Sequence, residues 1–420
     1  MRPMRLAAFV LLALYRSTIP GLVAAAAISN VSNQDKIAPK VLIISMFSPE
    51  AEVWYTNMPK DGLGDLLAVN IPTPGLSMRY PHVHCLADYS VCQVTTGEAE
   101  INAAATLTAL TLSDRFNLTK TYFLIAGIAG VNPKHATLGG VALARYAVQV
   151  ALQFEFDARE KPENFTTGYF PYGTSGPEQF PSIIYGTEVM ELNEALRDMA
   201  FLLAQKAQLT DNSEAMFYRS KYHDTHGFLA ATLGPSVVKC DTATSDVYYS
   251  GALLSEAFEN ITSVWTNGTG KYCMTAQEDN ATLEVLVRMA IEGLVDFNRV
   301  IVMRTGANFD RPPPNVSAYE HLLVLQQNGF DIANQNIYRA GIEIVKGILE
   351  KWDCTFAKGV KATNYVGDIF GSLGGEPDFG VGSLTDGKRV QPGGGSGDLE
   401  PEMLMSRKGV VLPVVRRAGR

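Results

Sequence analysis

Residues 40–46, KVLIISM, form an unbroken run of β-branched and aliphatic side chains, closed by Phe47-Ser48-Pro49. Such a run is too short for a typical helix. It lacks the polar alternation of a half-exposed strand, so it reads as a strand buried on both faces. The pattern continues outward from it. Residues 91–96 alternate moderately and predict a second strand, broken by Gly97. Residues 99–115 are rich in alanine and leucine, with Ile101, Ala105, Thr108 and Leu112 at helical spacing. Residues 121–126 predict a third buried strand ending in a glycine turn, Gly127 to Gly130, and residues 140–148 return as a strand. Strand, helix, strand, glycine turn, strand is the order of an α/β sheet, whose loops gather at strand ends.

Further along, residues 161–182 are dense in proline, glycine, asparagine and aromatics and read as a long excursion. Residues 188–205 and 282–294 predict amphipathic helices, and residues 300–304 predict a strand. A third helix is predicted over 338–352, after a polar segment with Asn334 and Asn336. From about Gly371 the composition shifts to glycine, proline and aspartate, and residues 381–420 read as a disordered tail. The α/β domain then occupies 39–380, after a polar linker at 28–38.

The chain has 420 residues, 46% of them hydrophobic, enough for one large core. Its net charge of −8, with both signs interleaved, argues against nucleic-acid binding. Residues 1–27 predict a signal peptide: Arg2 and Arg5 precede the apolar run 6–15, and small residues follow at Ala24 to Ala27. Seven N-x-S/T sequons, at Asn30, Asn117, Asn164, Asn260, Asn267, Asn280 and Asn315, fit a secretory route and a secreted or cell-surface location. Asn280 lies close to a candidate site. The five cysteines form no CxxC pair, the odd number leaves a thiol over, and the pairing stays open. Beyond the leader, residues 122–131 and 138–154 are the most apolar runs. Neither reaches the ~18 uninterrupted apolar residues of a spanning helix.

Three constellations carry chemistry. Ser48-Pro49-Glu50-Ala51-Glu52 follows the first strand, where ligands of open α/β sheets gather, and a carboxylate there can orient a water. Thr95-Thr96-Gly97 opens the long helix, whose N-terminus offers free amides, and Gly127 to Gly130 is a similar turn. Arg304 to Asp310 follows the late strand and offers Asn308 and Asp310, with Gln277 and Glu278 upstream as acceptors for a sugar diol. Tyr248 and Tyr249 are candidates to stack on a base. His223 and His226 read as loop residues, and no metal or cofactor is expected.

KVLIISMFSPEAEVW at 40, TTGEAEINAAATLTAL at 95, TYFLIAGIAGVNP at 121 and NYVGDIFGSLGGEPDFG at 364 together resemble the purine nucleoside permease family of fungi and some bacteria. More distantly the chain is similar to the nucleoside phosphorylase and methylthioadenosine/adenosylhomocysteine nucleosidase superfamily. The resemblance implies a three-layer αβα fold with a mixed central sheet and a purine nucleoside ligand. It implies Glu52 as the carboxylate that positions an attacking water, Glu278 as the ribose binder, and Asn308 at purine N7 with Asp310 as an acid nearby. It further implies substrate contacts from Thr96, Gly97, Gly127, Gly130, Tyr248 and Tyr249, and Gln277 beside Glu278 is a candidate contact by its place in the polar run. Hydrolysis is favoured over phosphorolysis, because a carboxylate in the first loop repels phosphate, though phosphate stays open as co-substrate. The family name leaves a second expectation open: binding without turnover, as partner of a membrane nucleoside carrier. A homo-oligomer is expected by analogy.

Overall fold

The structure is a computed structural model, and it describes residues 36–223 and 226–377. The expectations for the leader, the start of the linker and the tail lie outside the described residues. The first strand, β1, is Val41–Ser45, and it runs into helix α1, Ser48–Asn57, with Pro49 in its first turn. The expected acidic loop is therefore helical. Two short strands, β2 (Val69–Pro72) and β3 (His82–Cys85), precede β4 (Val91–Thr95) and helix α2 (Glu100–Thr111). Next come β5 (Tyr122–Val131), β6 (Val141–Leu143) and β7 (Tyr146–Gln149). The excursion contributes β9 (Tyr169–Phe170), which forms a small hairpin with β8 (Phe154–Glu155) ahead of it.

The second half begins with β10 (Val189–Glu191), α3 (Glu194–Ala204), α4 (Ser213–Ser220) and α5 (Leu229–Thr232). Strands β11 (Val237–Lys239) and β12 (Asp241–Thr244) lead to α6 (Ala252–Trp265) and β13 (Tyr272–Ala276). Helix α7 (Asp279–Ile291), strand β14 (Val300–Phe309), α8 (Ala318–Leu323), α9 (Phe330–Glu350) and β15 (Gly367–Asp368) complete the described chain.

The sheet is mixed. Its centre, β14-β5-β1-β4, is parallel, whereas β3 and β10 pair antiparallel with β4 and β7. Period-two alternation sorts the strand side chains into two cores. Leu42, Ile44, Phe123, Ile125, Val300 and Val302 pack with Leu107 and Leu110 of α2 and Leu283 and Leu286 of α7. Val41, Ile43, Leu124, Ile301 and Met303 pack on the other face, with Trp54 of α1, Leu196 of α3 and Ile337 and Ile344 of α9. Helices thus cover both faces of a mixed sheet in three layers, as expected.

Five local expectations are corrected. Gly127 to Gly130 make no turn: β5 runs straight through them, paired with Arg304 to Asn308 of β14. Residues 140–148 are two strands, β6 and β7, and the late strand predicted to stop at Arg304 continues to Phe309. The helix predicted from 188 starts only at Glu194, because residues 189–191 pair with β7; Asn193 then caps it by accepting from the Leu196 amide. The helix predicted from 338 begins at Phe330, so Asn334 and Asn336 are helical. Cys85–Cys92 and Cys240–Cys273 are disulfides and Cys354 is a free, exposed thiol.

Candidate functional site

A cavity of about 820 Å³ opens at the carboxyl ends of β1, β5, β13 and β14. That size suits a small molecule. Its floor is built by β5 and β14. Gly127 sits opposite Arg304, and a Cβ there would lie 2.6 Å from the Arg304 Nη1 and 2.7 Å from the Glu50 Oε1. Glycine is needed at 127 for this close approach, not for a turn.

Glu50 is 1% exposed and lies in the first turn of α1. Its oxygens accept from the Met46 amide at 2.7 Å and the Ile128 amide at 2.7 Å. Burial pushes its carboxyl up to about 8, against the opposing pull of Arg304 and those two amides. Behind it, Arg304 is 1% exposed and forks onto two acids of the α7 start. Its Nε donates to Asp279 Oδ1 at 3.1 Å, its Nη2 pairs with Glu278 Oε2 at 3.2 Å and with Asp279, and its Nη1 donates to the Ile128 carbonyl at 3.2 Å. Burial pulls the Arg304 guanidinium down, but Asp279 and Glu278 outweigh it and hold it above its ordinary value. Burial raises the Glu278 carboxyl, with Arg304 opposing.

The start of α2 does not offer the free amides that its sequence predicts. Instead, the Ala99 amide donates to Glu278 Oε1 at 2.9 Å and the Glu100 amide to Asp246 Oδ1 at 2.9 Å. The helix dipole is thus met by the protein's own carboxylates. Thr96 and Gly97 lie outside the cavity wall. Thr96 is buried, its amide donating to the Ser45 carbonyl at 2.9 Å.

Of the residues singled out from the sequence, Gly130, Tyr248, Tyr249, Gln277, Glu278, Asn308 and Asp310 meet around the cavity. Glu52 does not: it is exposed on the outer face of α1, and Glu50 occupies the place expected for it. The signal was helical phase. Glu50, Trp54 and Met58 recur every four residues and all three are buried, whereas Glu52 shares its face with exposed Thr56. Asp310 is present but committed. Arg311 donates to both its oxygens, at 2.8 and 2.9 Å, and the Tyr272 hydroxyl donates to Oδ2 at 2.6 Å. It stands as the acceptor of an ion pair rather than a proton donor. Tyr249 is buried with its hydroxyl donating to that of Tyr272 at 2.9 Å, while Tyr248 is 58% exposed at the mouth beside Asn308. Gln277 ties the Tyr248 loop down by donating to the Asp246 carbonyl at 2.9 Å. Arg304, His321 and Phe330 also line the cavity, and Asp279 lies buried behind Arg304; the sequence assigns none of the four a role.

The mixed α/β sheet thus carries a carboxylate-rich cavity at its strand ends. The model of the purine nucleoside permease (NUP) family matches residues 38–361, and the chain belongs to that family. It is 47% identical over 347 residues to the purine nucleoside permease of Candida albicans, covering 81% of this chain and 83% of that one. It is 42% identical over 330 residues to a probable purine nucleoside permease of Schizosaccharomyces pombe, covering 77% and 92%. Solved structures similar to it include the 5'-methylthioadenosine/S-adenosylhomocysteine nucleosidase of Neisseria meningitidis, at 13% identity and TM-score 0.40 over 74% of this chain and 99% of that one. Another is the futalosine hydrolase of Helicobacter pylori, at 14% identity and TM-score 0.42 over 74% and 98%.

Proposed function

We propose that this chain binds a purine nucleoside in the cavity and cleaves its N-glycosidic bond with water. The observation that carries the reading is Glu50, a buried carboxylate raised to about 8 and aimed into the cavity from the first turn of α1. The names of the family and of its Candida relative supply the ligand class. In this reading the C1'–N9 bond breaks and its electron pair goes to the purine. The sugar passes through an oxocarbenium state, which the carboxylates Glu50 and Glu278 stabilise. Glu278 accepts from the ribose hydroxyls. A water adds to C1' and gives its proton to Glu50. Asn308 donates to the purine at N7, and the departing base takes its proton from solvent at another ring nitrogen; an amide cannot supply it.

Water rather than phosphate is favoured by charge. Among the described residues one guanidinium, Arg304, lines the cavity, and Asp279 and Glu278 already engage it. Six carboxylates line the same space: Glu50, Glu98, Glu214, Glu278, Asp310 and Asp331. Arg79 and Arg145 line it nowhere. Phosphate wants converging arginines.

The deciding experiment incubates the protein with adenosine, guanosine and inosine, with and without phosphate, and follows base and sugar by chromatography. Free ribose without phosphate is expected. Ribose 1-phosphate formed only with phosphate would replace hydrolysis by phosphorolysis. Calorimetric binding without turnover would leave the second reading, a nucleoside-binding partner of a membrane carrier. The amide at position 308 and the relatives' names favour that alternative. Among the described residues no helix is long and apolar enough to cross a membrane.

The leader and sequons support export as part of the same proposal. Asn117, Asn164 and Asn315 are exposed, whereas Asn280 is 1% exposed and its Nδ2 donates to the Thr187 carbonyl at 2.7 Å. In protein secreted by a fungal host, peptide mapping after glycosidase treatment is expected to find glycans at the three exposed sites and none at Asn280. Intracellular retention without glycans would defeat the export reading.

A further inference from the structure

The segment after β14 returns over the cavity and grips the strand end that carries Asn308. The grip falls on one residue, Phe309, which is fully buried. Its amide donates to the Gln327 Oε1 at 2.7 Å. Its carbonyl lies 2.9 Å from the His321 Nε2. A carbonyl only accepts, so Nε2 carries the proton. The other ring nitrogen, Nδ1, then accepts from the Tyr218 hydroxyl at 2.6 Å. The Gln327 amide nitrogen lies 3.3 Å from Nε2, and with that nitrogen committed as a donor the pair is a contact rather than a bond.

His321 is 1% exposed, and burial lowers its ring below its ordinary value, in keeping with the neutral tautomer. It sits on α8, whose start is fixed by a capping box between Ser317 and Glu320. Both polar groups of one peptide residue are therefore held by side chains from the segment that walls the cavity.

The Phe309 carbonyl has a second partner. The Asn308 Nδ2 donates to it at 3.3 Å, so the orientation of the Asn308 amide depends on where that carbonyl is held. The strand reaches this point through a bulge: Gly306 pairs with Ala129 but Asn308 pairs with Gly130. A bulge frees the backbone to re-aim a side chain, and something must then fix the new direction. β5 still pairs here, with Phe309 opposite Val131 and the Asp310 amide donating to the Val131 carbonyl at 3.0 Å, but the amide and carbonyl of Phe309 itself go to Gln327 and His321.

We infer that His321 and Gln327 are positioning residues that clamp the Phe309 peptide, aim the Asn308 amide at the purine N7, and so set how strongly this site distinguishes purine nucleosides from analogues without N7. The inference rests on the proposed role of Asn308. Neither residue touches the reacting atoms; each acts through the backbone next to the group that does.

The test uses the full chain, wild type or altered at the clamp and at Asn308, in a Glu50→Gln background that binds adenosine without cleaving it, and isothermal titration with two probes, adenosine and 7-deazaadenosine, which differ in having nitrogen or carbon at position 7. A single hydrogen bond of this kind is worth roughly five- to tenfold in affinity. The wild type is expected to prefer adenosine by about that factor. Asn308→Ala is expected to bring the ratio to about one by removing the bond. His321→Ala is expected to lower the ratio with little change in affinity for 7-deazaadenosine. His321→Gln, which carries a donor at the end of its side chain, is expected to restore much of it. A merely structural role would weaken both probes alike and would not be rescued by glutamine. Should His321→Ala fail to fold, Gln327→Leu, which leaves the Phe309 amide unheld, carries the same test. A ratio that collapses in Asn308→Ala but stays at the wild-type value in the clamp variants overturns the inference alone. A ratio already near one in the wild type, or unchanged in Asn308→Ala, overturns the role of Asn308 and the clamp with it.

Discussion

Replacing Glu50 by glutamine is expected to lower kcat by about 10²- to 10⁴-fold, the usual contribution of a positioned general base. Nucleoside affinity should change far less, because the amide keeps the volume and one acceptor. The pH profile separates this loss from a trivial one. In the wild type the ionised form of Glu50 does the work, and burial holds its carboxyl near 8, so kcat/KM should rise with pH and level off above about 8. Glutamine does not titrate, and the ascending limb should vanish in the variant.

Stability gives a second, independent reading of the same group. The carboxyl is raised from 4.5 in the ordinary state to about 8 in the fold. A group raised in this way adds stability that is full below its unfolded value and is lost as pH climbs through its folded value. Wild-type stability should therefore carry a loss between about pH 4.5 and 8 that Glu50→Gln lacks. Glutamine also turns an amide donor toward either the Met46 or the Ile128 N–H, which lowers stability at every pH. The informative quantity is thus the difference between the two melting curves, which should move in favour of the variant as pH rises from 5 to 9. Parallel curves, together with an unchanged kcat, would remove Glu50 from the mechanism and leave it a structural acid.

The sheet was legible because its strands are buried on both faces. Continuous runs such as residues 40–46 and 121–126 have few other readings. Where the reading failed, the missing information lay in pairing. Nothing local says that Gly127 to Gly130 face Arg304 to Asn308 across a strand pair, and an isolated run with two glycines reads as a turn. The same ambiguity shortened β14 and placed Asn308 in a loop. Residues 189–191 are helix-compatible in isolation and become strand only because β7 lies beside them. At the site, the carboxylate pair at 50 and 52 was visible, and the choice between them was decided by the face carrying Trp54 and Met58. Arg304 was in view but without a role, since its partners Glu278 and Asp279 lie 25 or more residues upstream and meet it only in the fold. His321 carried no pattern at all: its two partners, Tyr218 and Phe309, lie in other elements, one of them before it by 103 residues.

Arg304 bears the largest stability prediction. It is the cation among three acids, Glu50, Glu278 and Asp279, that are each at most 4% exposed. Removing one partner of a buried ion pair leaves uncompensated charge and costs about 3–5 kcal/mol. At ~2–4 °C per kcal/mol for a large domain, Arg304→Met is expected to lower Tm by roughly 10 °C. Arg304→Lys should fall between, since an ammonium cannot fork onto Asp279 while also reaching Glu278 and the Ile128 carbonyl. The pH dependence identifies the cause. Arg304 pulls both Glu50 and Glu278 downward, so without it both carboxyls rise further. Their folded values then lie still farther above their unfolded ones, and the stability they withhold grows as pH increases. The deficit of Arg304→Met should be small near pH 5, where the acids can take protons, and large at pH 8. A deficit of equal size at both pH values would assign the loss to packing around the Met46 and Ile128 contacts. A negligible deficit would mean that water reaches the acids from the cavity and screens them, and the same water would then hold Glu50 near the ordinary carboxylate range. The Arg304 melting curves and the Glu50 rate profile are therefore linked: a dry, charge-balanced floor requires both effects, and a wet one abolishes both.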